Sequence, residues 1–86
     1  MMKSKISPAQ QKLIAEYPAS GPDVVLRNRF NGEPITVTAQ VAALYRAAME
    51  LYKRIEGGEY KLVGKFDRVK YTVLTLDHTA YMHLLD

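Results

Sequence analysis

The stretch from Ala39 to Ile55 constrains the fold most, because it holds few helix breakers and many strong helix formers. Val41, Leu44, Ala48, Leu51 and Ile55 recur at spacings of three and four, which aligns them as one apolar stripe. Tyr45 and Tyr52 widen the stripe. Arg46, Glu50, Lys53 and Arg54 occupy the opposite side, with Arg46–Glu50 and Glu50–Arg54 four apart, as on a solvated face. Thr38 or Thr36 can cap the start, and Gly57-Gly58 offers a left-handed stop. A central amphipathic helix over about 39–55 must bury its stripe against other elements, so the rest of the chain is read for what covers it.

Upstream, Asn31-Gly32 supplies the two positive-φ positions of a type I′ turn, which predicts a β-hairpin over about 24–37. With Phe30 opposite Glu33 as the closing pair, Leu26 stands across from Val37 and Asn28 across from Ile35. Those residues share a face with Val24, while Arg27 and Arg29 fall on the other face beside Thr36 and Thr38. Pro34 lacks a donor, so the second strand reads as a short edge strand.

Before the hairpin, Ser7-Pro8-Ala9-Gln10 reads as a capped helix start, with Gln10 placed to complete a capping box. A short helix then runs to about Tyr17, carrying Leu13, Ile14 and Tyr17 on one side, until Pro18 and Ser20-Gly21-Pro22 end it. Residues 1–6 read as a flexible basic tail. After the central helix, 59–64 reads as a connector or a short strand. Residues 66–76 fit a helix through Phe66, Val69, Val73 and Leu76, although their β-branched and aromatic content also suits a strand. Asp77 can cap a last helix from Thr79 to Leu85, with Ala80, Tyr81, Leu84 and Leu85 closing the core. The expectation is one α+β domain over 1–86: a short N-terminal helix, a hairpin, the central helix and one or two C-terminal helices.

Composition supports folding and narrows the chemistry. The chain of 86 residues is 48% hydrophobic and 24% charged, far from a disordered profile. It has no cysteine, which excludes disulfides and thiolate chemistry. The basic start has no apolar stretch behind it, and no run approaches the length of a membrane span, so a cytoplasmic protein without membrane association is expected. His78 and His83 are five apart and do not share a helix face, so no metal spacing emerges. Gly32 and Gly57-Gly58 read as turn and cap rather than a phosphate loop, and Asp67 and Asp77 fit helix starts better than acid–base roles. No enzyme and no cofactor is expected.

Surfaces remain. Tyr45, Met49 and Tyr52 line one edge of the central helix, and tyrosine and methionine suit protein contacts, so a protein partner or a second copy is the first expectation. The alternative is an anion or nucleic-acid surface from Arg27, Asn28 and Arg29 with Lys61, Lys65, Arg68 and Lys70. Lys61 and Lys65 near a helix start oppose the helix dipole, which points to an external anion. The net charge of +3 is too mild to choose between the two.

Asn28-Arg29-Phe30-Asn31-Gly32, Lys65-Phe66-Asp67-Arg68-Val69-Lys70-Tyr71 and Leu76-Asp77 with Ala80-Tyr81 and Leu84-Leu85-Asp86 together resemble small bacteriophage or prophage proteins of unknown function. That resemblance implies a product of the bacterial cytoplasm that binds a host protein. It carries no activity and assigns no functional residue.

Overall fold

A computed structural model describes residues 6–28 and 31–84. The first helix, α1 (Pro8–Glu16), starts at a complete capping box: Ser7 Oγ accepts from the Gln10 amide, and Gln10 Oε1 accepts from the Ser7 amide. Two strands follow, β1 (Val24–Arg27) and β2 (Pro34–Val37), paired antiparallel. The central helix α2 (Ala39–Glu56) is capped by Thr38, whose hydroxyl accepts from the Val41 amide.

Helix α2 ends in a Schellman arrangement. The Gly58 amide bonds the Ile55 carbonyl and the Glu59 amide bonds the Arg54 carbonyl, with Gly58 at φ +108. A 3-10 turn (Tyr60–Leu62) fills the segment expected as connector or strand and leads directly into α3 (Val63–Leu76). The helical reading of 66–76 therefore holds, because Val69 and Val73, one turn apart, are both fully buried against α2. Buried Thr72 avoids an unsatisfied hydroxyl by donating to the Arg68 carbonyl at 2.9 Å. Asp77 caps α4 (His78–Met82) through the Ala80 amide; this helix stops short of the expected Leu85, which lies outside the described residues.

The core sits where α2 meets α3, with Leu44, Ala48, Val69, Val73 and Ala80 fully buried. Hairpin and α1 are laid onto its margins. Leu13 of α1 and Val37 of β2 are buried, while Val24, Leu26 and Ile35 pack half-buried on α2 and its neighbours.

The hairpin departs from the expected register by two residues. Val24 pairs with Val37 and Leu26 with Ile35, so the aliphatic face survives but the tight Asn31-Gly32 turn does not. Gly32 has φ +75, and the last backbone pair is Asn28 with Glu33, wider than a two-residue type I′ turn allows. Side chains satisfy the wider loop instead. Asn28 Oδ1 accepts the Asn31 amide, Asn31 Oδ1 accepts the Glu33 amide, and the Arg27 guanidinium donates to the Gly32 carbonyl. The base of the loop is tied to the end of α4, where Asn28 Nδ2 lies 2.8 Å from Nδ1 of His83.

Candidate functional site

The tyrosine edge of α2 is largely folded inward. Tyr45 is only 5% exposed, and its hydroxyl lies 3.5 Å from the His83 carbonyl. Tyr52 is half-buried with its ring 5.7 Å from that of Phe66 in α3. Both rings close the core margin, as amphipathic side chains do. Met49, between them in sequence, is half-buried and reaches a surface cavity.

The second basic group is dispersed. Lys61 is exposed on the 3-10 turn. Lys65 answers to α1: its ammonium is 3.5 Å from Glu16 and 5.7 Å above the Tyr17 ring. The Tyr17 phenol, and after it Glu16, hold Lys65 above its ordinary lysine value. The cation expected to oppose the helix dipole thus has an internal partner, so it gives no sign of an external anion. Lys70 lies 4.9 Å above the Phe66 ring, and Arg68 borders a cavity between α1 and α3. Arg68 and Arg27 line different cavities, the one between α1 and α3 and the one between β1 and α2. Arg29 lies outside the described residues.

One cavity, of about 290 Å³, combines residues from both expected surfaces. It lies between β1 and α2, with Leu26, Tyr45 and Met49 forming an apolar floor. Arg27 from the strand and Arg46 and Lys53 from the helix surround that floor, against the single carboxylate of Glu50. Neither Arg46 nor Lys53 forms an ion pair with another described residue, and Arg54 forks onto Glu59 at 2.8 and 3.1 Å rather than onto Glu50. Three cations around one carboxylate leave a local positive field that solvent only partly screens at this range.

The larger cavity, about 460 Å³, sits between α1 and α3. Its charges, Asp67 and Arg68, offset each other. Three of its polar residues are engaged inside the chain: Ser7 and Gln10 in the capping box, Gln10 Nε2 also with Thr75 at 3.2 Å, and Thr72 with the Arg68 carbonyl.

Arg46 and Lys53 are exposed, as the solvated face predicts, and they also wall the cleft, which sequence reasoning did not foresee. The available signal was the Arg46, Met49, Lys53 series at spacings of three and four, beside the tyrosine edge. Among the described residues no group of three His, Asp or Glu converges as metal ligands would, and no helix is long and apolar enough to cross a membrane. No protein-family model, no curated protein and no solved structure matches the chain. The resemblance to phage proteins rests on its residues alone, and function is read from the cleft's own geometry.

Proposed function

We propose that the protein is a non-enzymatic interaction module whose β1–α2 cleft takes an acidic segment of a partner protein carrying an apolar side chain. The observation that carries this reading is the cleft's composition: three cations from two elements around a floor of Leu26, Tyr45 and Met49. An apolar side chain placed on that floor loses water-exposed area, and carboxylates of the same segment are drawn by the summed field of Arg27, Arg46 and Lys53. A folded-in Tyr45 gives the floor a rigid wall, which lowers the ordering cost of binding.

A nucleic acid fits the same surface less well. Backbone recognition calls for a run of cations along a groove, whereas Arg27 and Arg68 line different cavities and Lys65 and Lys70 are turned onto Glu16 and the Phe66 ring.

The test is fluorescence anisotropy with a labelled synthetic peptide of alternating leucine and glutamate, against single-stranded oligonucleotides of equal charge. The peptide binds, its affinity falls with added salt, and the Arg46→Glu/Lys53→Glu variant binds roughly tenfold more weakly. Tighter binding of the oligonucleotide, or indifference to the double reversal, contradicts the reading.

A further inference from the structure

We infer that the partner's segment enters the cleft as an added β-strand, hydrogen-bonded to the open edge of β1; this rests on the cleft reading above and specifies its mode. The hairpin's own ladder fixes which groups are free. The Asn28 amide donates to the Glu33 carbonyl at 2.7 Å, so the amide of 28 faces β2 and position 28 has the phase of a bonded pair. Alternation along an antiparallel ladder then makes Leu26–Ile35 and Val24–Val37 bonded pairs, and Val25–Thr36 and Arg27–Pro34 non-bonded ones. The amides and carbonyls of Val25 and Arg27 therefore point away from β2, and no described residue bonds to them.

The two edges of the hairpin are not equivalent. At the outer edge of β2 the corresponding positions are Pro34, which has no N–H, and Thr36. The β1 edge keeps both donors and both acceptors. It is also the edge beside the cleft, whose described lining includes Leu26 and Arg27 and no residue of β2.

Strand periodicity then sets the occupant. A side chain opposite Leu26 falls on the same face as Leu26, toward Tyr45 and Met49. Side chains opposite Val25 and Arg27 fall on the other face, beside the Arg27 guanidinium. Val25 is 63% exposed on that face, leaving room for a neighbour. Arg46 and Lys53 stand on the Leu26 side, so Arg27 alone faces the glutamates directly and the other two cations act on them at longer range. The fitting ligand is an extended peptide in which apolar and acidic residues alternate, bound by strand addition.

Backbone N-methylation separates this mode from side-chain docking. The alternating leucine–glutamate peptide is compared by anisotropy with two versions, one N-methylated at every glutamate and one at every leucine. In antiparallel addition the glutamates oppose Val25 and Arg27 and supply the bonding amides. N-methyl-glutamate therefore weakens binding about tenfold or more, while N-methyl-leucine leaves it within about twofold. The reverse selectivity still supports strand addition, with the segment running parallel.

Equal affinities for the two methylated peptides overturn strand addition while leaving the cleft reading intact. No binding of the unmodified peptide overturns both. Val25→Pro removes one outward donor without breaking a hairpin bond, and is expected to lower affinity by a similar factor with an unchanged circular dichroism spectrum. Wild-type affinity in a folded Val25→Pro variant contradicts the proposal, as does a dimer by sedimentation that excess peptide leaves intact. If Val25→Pro does not fold, the methylated peptides on the wild-type chain decide.

Discussion

The α1–α3 cavity and the β1–α2 cleft differ in what their polar groups are already doing. The α1–α3 cavity is the larger, about 460 Å³, but Ser7, Gln10 and Thr72 on its walls are hydrogen-bonded within the chain and Asp67 offsets Arg68. The β1–α2 cleft is smaller, about 290 Å³, yet Arg46 and Lys53 have no ion-pair partner among the described residues. Volume alone ranks them one way, and unsatisfied chemistry ranks them the other. A group that already caps a helix or bridges two elements contributes to stability; a cation held beside an apolar floor with no partner is placed to contribute to binding.

The largest expected effect breaks both cavities together. Leu44 is fully buried in the α2 core on which both are built, so Leu44→Ala should destabilise the fold by about 2–5 kcal/mol in chemical denaturation. A loss under about 1 kcal/mol would mean that α2 does not anchor the core as described.

The next prediction separates the cavities. Gln10→Ala removes both the return bond of the capping box and the bond to Thr75, and should cost about 1–2 kcal/mol while leaving peptide affinity unchanged. Arg46→Ala/Lys53→Ala should show the opposite profile, with stability within about 0.5 kcal/mol of wild type and weakened peptide binding. Equal stability losses from the two variants would erase the distinction.

The smallest effect concerns Lys65, tethered to Tyr17 and Glu16. Its pKa in the fold is raised from the ordinary 10.5, so the stability it contributes is present below that value and lost as pH rises through the folded one. The stability gap between wild type and Lys65→Met should stay flat from pH 7 to about 10 and close above it. Because this ammonium is substantially solvated, the gap itself falls in the range of surface pairs. A gap that widens at high pH would contradict the tether.

What was legible in the sequence follows from the range of the interactions involved. The caps at Ser7, Thr38 and Asp77 and the left-handed stop at Gly58 each depend on residues three to five apart, and all four are formed as read. The aliphatic face of the hairpin was also legible, since a two-residue slip preserves the alternation of side chains. The register itself was not, because the side chains of Asn28 and Asn31 compete with the backbone for the loop amides.

The helix at 66–76 carried both signals, and burial of Val69 and Val73 against α2 decided it. Arg27, Tyr45 and Met49 were singled out from the sequence, but as two separate surfaces. Their meeting in one cleft depends on where the hairpin lands on α2, a contact between distant parts of the chain that no local pattern encodes.

The most direct measurement is an amide chemical-shift titration of the isotopically labelled protein with the alternating leucine–glutamate peptide. The account predicts that shifts concentrate at Val25 to Arg27 and along Tyr45 to Lys53, while Gln10, Leu13 and Tyr71 around the larger cavity stay still. Shifts centred on the α1–α3 cavity, with β1 unmoved, would contradict it.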